Sequence, residues 1–518
     1  MQKIRRPLSG AVADAPSSIP WVGEGKVSHF LPDGMPLLDP ASLTYDAAAS
    51  LSPTAARVDI GTGRATELPS PLPTRVPGTI PGEVVRFTEL GRGAHQAMGQ
   101  LLRVLQPHPA RVTPVCVRAS ACGSCDRMHL NLPAQHEFKL QSVARALDGL
   151  VSSVLPLVES PRALGYRRRA RFVFGGRAGR LTLGAWQAGS HTLIDVGDCP
   201  VTAPVLLQAR DRVLEALEDA GLAAYDEGSG LGVLRALILQ TDESEEAVLA
   251  LLVVAEEEGY PWERLAEQLL QREGKTRYVS GGIHGVGLNL HDSRGNALQG
   301  DVTRVLAGKS ALRLKVGNLK LEVPLGAFSQ VNLEVAGRLY QDVASWALEP
   351  PPGVEEPPRW GPQPPEGGLL DLYCGVGALG LHVSALAHDR ERPYAWGLGL
   401  ETHPGAVTTA RWNARRLGCL ELNFQAGEVH EALRQLTPEV PLRLALVNPP
   451  RGGLEQESRV QLLRLLPPRI LYVSCSPQSL ARDLKALRSA YEVVRVQPYD
   501  MFPQTHHVET LVWLQPRM

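Results

Sequence analysis

Hydrophobic positions in the last third of the chain form short runs separated by segments with helical spacing. Such runs, bounded by Gly and Pro, predict buried strands, and apolar residues three and four apart predict helices between them. The predicted strands are Leu369–Tyr373, Ala395–Glu401, Leu420–Gln425, Leu442–Val447, Ile470–Val473, Glu492–Val496 and Thr510–Leu514, and the helices include Leu379–Leu386 and Pro404–Leu417. This alternation is typical of a doubly wound, mostly parallel α/β sheet.

The hydrophobic pattern before residue 350 divides into two regions. From Val22 to about Leu105, short apolar runs are broken by Gly and Pro, which predicts a small β-barrel. Residues 111–325 mix both periods, which predicts a central α+β domain. Its predicted elements are the strands Leu231–Gln240 and Ala247–Val254 and the helices His136–Val151, Pro204–Ala220 and Trp262–Gln271.

These patterns predict a domain organisation for the chain. We expect a disordered tail at residues 1–20, a β-barrel at 21–110, the central α+β domain at 111–325, a helix leading into the last domain at 326–349, a proline-rich linker or insertion at 350–368, and the doubly wound domain at 369–518. The helix begins at Phe328-Ser-Gln-Val-Asn332 and runs to about Leu348. The linker cannot be helix or sheet interior, because proline lacks the backbone donor that both need.

Composition changes this picture little. The net charge is −1, so no global excess of charge directs the protein to nucleic acid or membrane, and any basic surface must be local. No apolar run reaches the roughly 18 residues that a membrane-spanning helix needs. The seven cysteines are odd in number and unevenly placed, which favours reduced thiols, metal ligands or catalysis over a disulfide framework. We therefore expect a cytoplasmic protein, with no membrane association.

Cys475 is the first candidate for chemistry. A β-branched and aromatic run from Ile470 to Val473 is ended by Pro477, and helical spacing follows, so Cys475 lies at the carboxyl edge of the predicted sheet. A thiol near the start of a helix lies where its anion is favoured over the neutral form. The residue is thus a candidate nucleophile. The alternative is a small buried residue that closes a strand.

A second candidate is the cysteine group Cys116, Cys122, Cys125 and Cys199. Two cysteines separated by two residues can direct both sulfurs at one metal group, and Cys116 adds a third soft ligand. Cys199, which precedes a proline, is the leading candidate for the fourth. Thiolate ligation without a His in metal spacing fits either a [4Fe-4S] cluster or a structural Zn²⁺. Unrelated thiols are the alternative.

Three arginines alternate along a predicted strand of the central domain. Arg167, Arg169 and Arg171 fall on one face, opposite Arg168, Ala170 and Phe172. The guanidinium group matches phosphate geometry with two hydrogen bonds, so this face is a candidate for following a nucleic-acid backbone. A solvated strand edge is an equally good interpretation.

A glycine motif predicts a ligand site in the last domain. Gly375-Val-Gly377-Ala-Leu-Gly380 follows the first strand and opens a helix, and Glu401 ends the second strand, where a carboxylate can bind ribose hydroxyls. Both NAD(P) and S-adenosylmethionine fit this pattern. Asp371 in the first strand favours S-adenosylmethionine, as does Asn448, which ends the fourth strand before a rigid diproline.

Taken together, these motifs resemble a known family. They recur in the order Cys116-x5-Cys122-x2-Cys125, Asp198-Cys-Pro200, Phe328-Ser-Gln-Val-Asn332, Leu370-Asp-Leu-Tyr-Cys-Gly-Val-Gly377, Val473-Ser-Cys-Ser-Pro477 with Leu480-Ala-Arg-Asp483, and Asp500-Met-Phe-Pro503 with His507-Val-Glu509. The chain is similar to the S-adenosylmethionine-dependent RNA (uracil-5-)methyltransferases. The resemblance is closest to the 23S rRNA branch, which has an N-terminal TRAM barrel and an iron–sulfur cluster.

The resemblance implies roles for individual residues. It implies that Cys475 adds to C6 of a uracil in RNA, that C5 then takes a methyl group, and that Glu509 removes the C5 proton. It also implies that Gln330, Tyr373 and Glu401 contact S-adenosylmethionine, together with Gly375 and Gly377 of the glycine loop and Asn448. The cysteine group then binds the [4Fe-4S] cluster, the barrel is TRAM-like, and the protein acts as a monomer on RNA, with 23S rRNA as the expected substrate.

Two departures from the family pattern keep an alternative open. Asn448 stands where the family has Asp, and Ala378-Leu379 stand where it has Asn-Phe. An amide brings no charge toward the methyl donor or the base. A non-catalytic rRNA-binding or assembly factor on the same fold is therefore the second hypothesis, and a cluster-containing NAD(P) oxidoreductase is the third.

Overall fold

The computed structural model describes residues 22–31, 33–46, 72–187, 190, 192–273, 277–293, 299–350 and 367–517. The predicted tail at 1–20 and most of the predicted linker at 350–368 lie outside these residues. The chain forms two compact units that divide between Thr113 and Pro114, close to the barrel boundary predicted at residue 110. Among the helices of the described residues, none combines the length and the apolar character needed to cross a membrane.

The first unit is a small β-barrel. Its strands are β1 (Val22–Phe30), β2 (Pro36–Leu38), β3 (Thr44–Asp46), β4 (Thr74–Arg75), β5 (Val84–Arg92) and β6 (Ala97–Gln106). The sheet order β2-β4-β6-β5-β1-β3 closes on itself because β1 also pairs with β2. Alternate residues of β5 point inward, and Val85 and Phe87 pack with Val27 and Leu38 in the barrel core. The predicted barrel is thus present.

The second unit begins with the cysteine segment and a central sheet. Its elements are α1 (Leu132–Ala146), β7 (Arg169–Arg177), β8 (Arg180–Trp186), β9 (Leu193–Asp195), α2 (Pro204–Asp219), β10 (Leu234–Thr241), β11 (Ala247–Val254), α3 (Trp262–Leu269), β12 (Arg272–Glu273), β13 (Arg277–Tyr278), β14 (Gly282–Leu290), β15 (Val302–Gly308), β16 (Ala311–Val316) and β17 (Leu319–Pro324). The seven-stranded sheet has the order β15-β14-β11-β10-β7-β8-β9.

The two faces of the central sheet are covered differently. One face packs against α2 and α3, where Phe172 and Leu237 lie in the same core as Val213 and Leu265. On the other face, Ile238 and Leu251 pack against the β16–β17 hairpin and the helix that follows it. Arg171 and Trp186 belong to the β7–β8 part of the sheet and are exposed.

The remaining elements form the doubly wound domain. They are α4 (Leu333–Leu348), β18 (Gly368–Leu372), α5 (Ala378–Asp389), β19 (Trp396–Glu401), α6 (Pro404–Leu417), β20 (Leu422–Ala426), α7 (Val429–Gln435), β21 (Leu442–Val447), α8 (Gln456–Leu465), β22 (Ile470–Ser474), α9 (Pro477–Leu487), β23 (Tyr491–Tyr499) and β24 (Glu509–Pro516). Each strand predicted from the sequence is found, and the α/β fold class is confirmed.

The sheet topology decides where a site can form. The order is β20-β19-β18-β21-β22-β24-β23, in which β18 to β22 are parallel and β24 lies antiparallel between β22 and β23. Strand order reverses at β18, so a crevice opens beyond the carboxyl ends of β18, β19 and β21. The antiparallel β24 begins at this same edge, beside the end of β22.

Two predicted helix starts are wrong, each because of a capping asparagine. The helix expected from Phe328 begins at Leu333, since the Asn332 side chain accepts from the Val335 backbone and leaves residues 328–331 extended. The helix expected from His136 begins earlier, at Leu132, with Asn131 as its cap. The first difference frees Gln330 from a helix and places it in a loop.

Candidate functional site

The parallel strands bring their carboxyl ends to one edge of the sheet. Beyond β18 lies the glycine loop at 373–377, β19 ends at Glu401, Asn448 follows β21, and Cys475 follows β22. These residues are far apart in sequence and become neighbours only through the strand order. The edge therefore collects the predicted site residues of the last domain.

The glycine loop is held by Glu401. Its carboxylate accepts hydrogen bonds from the backbone of Gly375 at 3.0 Å and of His403 at 3.0 Å, and from the Thr402 hydroxyl at 3.1 Å. Gly377 caps α5 at φ 82°, and a Cβ there would come within 3.0 Å of the Phe424 ring. The loop thus keeps its backbone close to the helix N-terminus, as phosphate- and nucleotide-binding loops do.

Asp371 lies buried beneath the glycine loop. One carboxylate oxygen accepts from the Gly380 backbone at 2.9 Å, while the other has no hydrogen-bond partner among the described residues. Burial raises the pKa of Asp371 to about 7, and the neighbouring Glu401 carboxylate adds to this increase. An unpartnered buried oxygen beside a glycine loop is a polar group that a ligand can satisfy.

Cys475 and Glu509 face each other across two antiparallel strands. Ser474 pairs with Thr510, so the residues one step beyond, Cys475 and Glu509, lie side by side at the edge. The Cys475 side chain is half-buried, and Glu509 is only 4% exposed. Burial raises the pKa of Glu509 to about 8, an increase that Arg451 partly offsets. Glu509 is therefore not the exposed surface carboxylate that its sequence position allows.

Arg451 lies close to both of these groups. Its guanidinium lowers the pKa of both Cys475 and Glu509. Burial and the Glu509 carboxylate nevertheless raise the pKa of Cys475 above its usual range. In the free protein, burial thus opposes the thiolate that the helix start is expected to favour. The arginine provides the compensating charge.

The loop that carries Arg451 is anchored by buried Asp483. Its carboxylate accepts from the Leu454 backbone at 2.7 Å, from the Tyr472 hydroxyl at 2.7 Å and from Arg459 at 2.8 Å. These bonds join the β21–α8 loop, strand β22 and helix α9. Asp483 therefore fixes the Arg451 loop relative to the strand that ends at Cys475.

A second wall of the site comes from α4. Gln330 precedes this helix in a loop and lies near Tyr340, whose pKa is raised by burial and by the nearby Glu509 carboxylate. Tyr340 is 7% exposed and packs against His382 of α5, with ring centroids 5.2 Å apart. Tyr340 thus lies near both Gln330, in the loop before α4, and Glu509, the candidate base.

The other two predicted ligand contacts also lie at this edge. Tyr373 adopts φ 60°, in the left-handed region, and its hydroxyl is 3.3 Å from that of Ser458. The Asn448 backbone donates to the Leu372 carbonyl at 3.2 Å, and its side chain is half-buried. Their contact with a bound ligand stays a prediction.

The four cysteines of the central domain converge on one cavity. Cys116, Cys122, Cys125 and Cys199 line a space of about 250 Å³. An ion pair between Arg118 and Asp198 joins the two segments that carry them. Among the described residues, no three of these sulfurs all lie within 4.8 Å of one another.

The three arginines line the same cavity but have different surroundings. Arg167 interacts with Cys125, Cys199 and the ring of Tyr166. Arg169 and Arg171 have no carboxylate within 4.0 Å in the described part of the chain, and burial together with Arg171 lowers the pKa of Arg169 to about 10. A solvated strand edge does not describe Arg169, because its side chain is partly buried.

Sequence reasoning missed Arg451, Tyr340 and Asp483 as functional residues. Asp483 ends the Leu480-Ala-Arg-Asp483 motif and Arg451 follows the diproline after Asn448, but nothing in their spacing showed that both lie near Cys475. Tyr340 looked like one more apolar position of a helix. Only the packing of α4 against the sheet brings it near Glu509.

Comparison with known families places this geometry in context. The model of the tRNA (Uracil-5-)-methyltransferase family matches residues 437–517, which include β21, β22, β24 and all of Arg451, Cys475 and Glu509. The crystal structure of tRNA (uracil-54, C5)-methyltransferase from Pyrococcus abyssi, in complex with S-adenosyl-L-homocysteine, has a TM-score of 0.68. It is 22% identical and the match covers 96% of this chain and 100% of that chain, which shows a shared fold.

Curated relatives match most of the chain. A protein described as an uncharacterized RNA methyltransferase in Gloeobacter violaceus is 32% identical over 450 residues, 85% of this chain and 91% of the relative. One from Nostoc sp. with the same description is 33% identical and covers 85% of this chain and 90% of its own length. Together with the matching C-terminal model, these identities show that the chain belongs to the RNA methyltransferase family that carries the uracil-5-methyltransferase signature.

Proposed function

We propose that this RNA methyltransferase transfers a methyl group from S-adenosylmethionine to C5 of a uridine through a covalent adduct between Cys475 and C6. The observation that carries the proposal is the pairing of Cys475 with Glu509 at the sheet edge that also holds the glycine loop. A nucleophile and a base that flank one space are the groups that this reaction needs.

The residues at the strand ends fit the methyl donor. The glycine loop offers backbone donors at a helix N-terminus, and Glu401 can accept ribose hydroxyls alongside the three donors that it already holds. Asp371 contributes one buried oxygen that no described residue satisfies. When bound, S-adenosylmethionine supplies an electrophilic methyl group. The likeness in fold to an S-adenosyl-L-homocysteine complex supports this choice.

The chemistry follows from the poor nucleophilicity of uracil C5. The Cys475 thiolate adds to C6, and the electrons of the C5–C6 double bond move into the C4 carbonyl as an enolate. C5 then takes the methyl group and the donor leaves as a neutral thioether. Glu509 removes the remaining C5 proton, the C5–C6 double bond re-forms, and the C6–S bond breaks to release the thiolate. Arg451 stabilises the thiolate at both ends of this sequence.

A target uridine must leave its base stack to reach these groups, since neither face of a stacked base is open to a thiol. We assign the approach of the RNA to Arg169 and Arg171. The backbone of Arg168 donates to Val331 at 2.8 Å, which puts this strand one residue from Gln330. Cations that no described carboxylate neutralises, placed near the acceptor pocket, suit the phosphates that flank an extruded base.

The cysteine group is the proposed binding site of a metal group, as the resemblance to the 23S rRNA branch implies. Tetrahedral ligands about 2.3 Å from a single Zn²⁺ stand about 3.8 Å apart. The spacing of these sulfurs and the volume of their cavity fit a larger group, which we assign as a [4Fe-4S] cluster held by Cys116, Cys122, Cys125 and Cys199. We assign the N-terminal β-barrel as a TRAM-like RNA-binding module, and we expect the protein to act as a monomer. The barrel does not separate 23S rRNA from tRNA as the substrate, because the fold match to a tRNA (uracil-54, C5)-methyltransferase covers 96% of this chain.

Replacement of Cys475 tests the proposal. We expect Cys475→Ala to abolish methyl transfer to rRNA and to prevent the denaturation-resistant adduct that the wild-type protein forms with 5-fluorouridine RNA. Cys419→Ala is a matched control, because Cys419 is a buried thiol at the end of α6 rather than at the sheet edge. Methyl transfer that persists unchanged in Cys475→Ala would contradict the mechanism.

Titration with S-adenosylmethionine separates this proposal from a non-catalytic binding factor. We expect a measurable heat of binding that Glu401→Ala reduces. Absence of any heat, with RNA binding retained, would favour the second hypothesis, which Asn448 motivates. Binding of NAD(P) in its place would favour an oxidoreductase. The antiparallel β24 between β22 and β23 argues against the latter, because the Rossmann dinucleotide fold keeps its strands parallel.

A further inference from the structure

The loop from Asp500 to His507 determines where Glu509 lies. It joins β23 to β24, and Glu509 is the first residue of β24. Within it, Gln504 has φ 70°, in the left-handed region, although it is not glycine. Such a backbone persists only where surrounding contacts over-determine it. The contacts that hold this loop come from residues more than three hundred positions earlier in the chain.

Helix α1 holds the first half of the loop. The buried Lys139 ammonium forms an ion pair with Asp500 and donates to the Phe502 carbonyl at 2.9 Å. The Gln135 side chain accepts from the Gln504 backbone at 2.9 Å and donates to its side chain at 3.0 Å. These bonds fix the strained residue from both sides.

The cysteine segment holds the second half. Asp126, which directly follows Cys125, accepts from the His506 backbone at 2.9 Å and contacts Nδ1 of the His506 ring at 2.7 Å. The next backbone amide, of Arg127, donates to the Gln504 carbonyl at 2.9 Å. The Tyr166 hydroxyl donates to the Pro503 carbonyl at 3.1 Å.

Through His507, His506 is in turn in contact with the acceptor site, which is the space beside Cys475, Glu509 and Arg451. The His506 and His507 rings are 4.1 Å apart between centroids, and His507 lies two residues before Glu509. His507 is also close enough to Arg451 for the guanidinium to disfavour its protonation. A displacement of His506 would therefore shift both Glu509, the candidate base, and the surroundings of Arg451 beside Cys475.

The cysteine segment has little regular secondary structure of its own. Residues 114–130 form turns and isolated bridges without a helix or an extended strand, so few backbone hydrogen bonds fix their shape. Thiols gathered around one metal group would supply the missing constraint. Asp126, adjacent to the ligand Cys125, then transmits this order to the loop.

We propose that Asp126 and His506 form a positioning pair, through which the metal-loaded cysteine group sets the position of Glu509 in the acceptor site. This inference rests on the proposed function, because it assigns a purpose to the fixed position of the base. Neither residue touches the reacting atoms. Both act through the loop from Asp500 to His507.

Hydrogen–deuterium exchange tests the coupling without RNA. In the full-length protein with its metal group, we expect Asp126→Ala to speed exchange across residues 500–509 by about tenfold, since two anchoring bonds are removed. The matched control is Asp148→Ala, an exposed aspartate just past the end of α1, which should leave that segment unchanged. Equal protection of residues 500–509 in wild type and Asp126→Ala overturns the proposal.

A second variant guards against loss of the metal group. Iron and sulfide are measured in each preparation, and His506→Gln changes the pair from the side of the loop, remote from the cysteines in sequence. We expect the same faster exchange at full iron content. Unchanged exchange in His506→Gln overturns the pairing, whatever Asp126→Ala shows.

Single-turnover kinetics distinguish positioning from general damage. A displaced Glu509 slows elimination more than methyl transfer, so Asp126→Ala should accumulate methylated covalent adduct, with kcat lowered about tenfold to a hundredfold. The dissociation constant for S-adenosylmethionine should stay within about twofold, because the glycine loop is untouched. A uniform loss without adduct overturns the positioning role. If the wild type forms no adduct with 5-fluorouridine RNA, the proposed function fails, while the exchange experiment still decides the coupling.

Discussion

At the scale of single residues, the acceptor site has a shortage of positive charge. Cys475 and Glu509 adjoin each other, and burial raises the pKa of both groups. Arg451 is the cation that acts on both of them. The free site therefore favours a neutral thiol and a protonated carboxyl, and catalysis needs both groups in their ionised forms at different stages.

The pH dependence of elimination follows from Glu509. Its pKa of about 8 means that the base form grows as pH rises through that value, so adduct breakdown in the wild type should accelerate from about pH 6 to about 8 and then level off. In Glu509→Gln the methylated adduct should accumulate at every pH. Quenched-flow measurement of adduct and product checks both outcomes, and adduct breakdown that is independent of pH would exclude Glu509 as the base.

Stability should show the opposite trend with pH. The folded protein keeps a proton on Glu509 between its ordinary pKa of 4.5 and about 8, whereas the unfolded chain releases it. The contribution of this group to stability is therefore largest below pH 4.5 and declines as pH rises to about 8. Urea unfolding of Glu509→Gln should lose this part of the decline. An identical pH profile in wild type and variant would contradict the raised pKa.

At the scale of elements, Asp483 connects the elements that carry the candidate site at the carboxyl edge of the sheet. It connects strand β22, helix α9 and the loop of Arg451 through three hydrogen bonds, and its side chain is inaccessible to solvent. Loops at the carboxyl edge owe their position to such buried partners rather than to their own local sequence.

Removal of the Asp483 carboxylate should destabilise the last domain. Asp483→Ala leaves the Tyr472 hydroxyl, the Leu454 amide and Arg459 without their acceptor, at a cost of about 3 kcal/mol in the free energy of unfolding. Arg482→Ala is the control, since that side chain is 53% exposed and should cost less than about 1 kcal/mol. Chemical denaturation measures both. Equal losses of unfolding free energy in the two variants would show that the hydrogen bonds of Asp483 do not stabilise the domain.

At the scale of the whole molecule, the face of the central sheet that carries exposed Arg171 and partly buried Arg169 lies next to the loop of Gln330. Arg169 is the register partner of Gln240, whose side chain donates to Ser329 at 3.1 Å, one residue before Gln330. The arginine pair and the pocket are thus joined by direct contacts. An RNA strand along Arg171 and Arg169 would arrive at Gln330.

The salt dependence of RNA binding tests this route. On single-stranded RNA, removal of one cation that neutralises a phosphate lowers the slope of log K against log salt by about 0.7. We expect Arg171→Gln to weaken rRNA binding and reduce the slope by that amount, with no change in S-adenosylmethionine binding. Arg212→Gln is the control, because α2 covers the opposite face of the sheet. If the slope of log K against log salt is the same in Arg171→Gln and Arg212→Gln, the RNA does not follow the face that carries Arg171.

Strand and helix positions in the last domain were predictable, because side-chain burial in a doubly wound sheet imposes its period on the sequence. Buried strands such as Leu442–Val447 are almost wholly apolar, and the glycines of the 375–377 loop mark a backbone with positive φ. Helix starts were less predictable. At Phe328 and His136 the cap, and not the apolar spacing, decides where the helix begins.

The sequence by itself determined the α/β class, the glycine loop at the first strand end and the cysteine and strand-end residues that suggest chemistry, since all of these depend on local spacing. Only the tertiary structure decided that Glu509 is buried beside Cys475, that Arg451 lies close to both, and that Asp126 contacts His506. These pairs are separated by up to 380 positions, and strand order and cross-chain packing bring them together. The spacing of residues along the sequence does not show which of them lie close together in the fold. Burial beside those neighbours is what raises the pKa of Cys475 and Glu509.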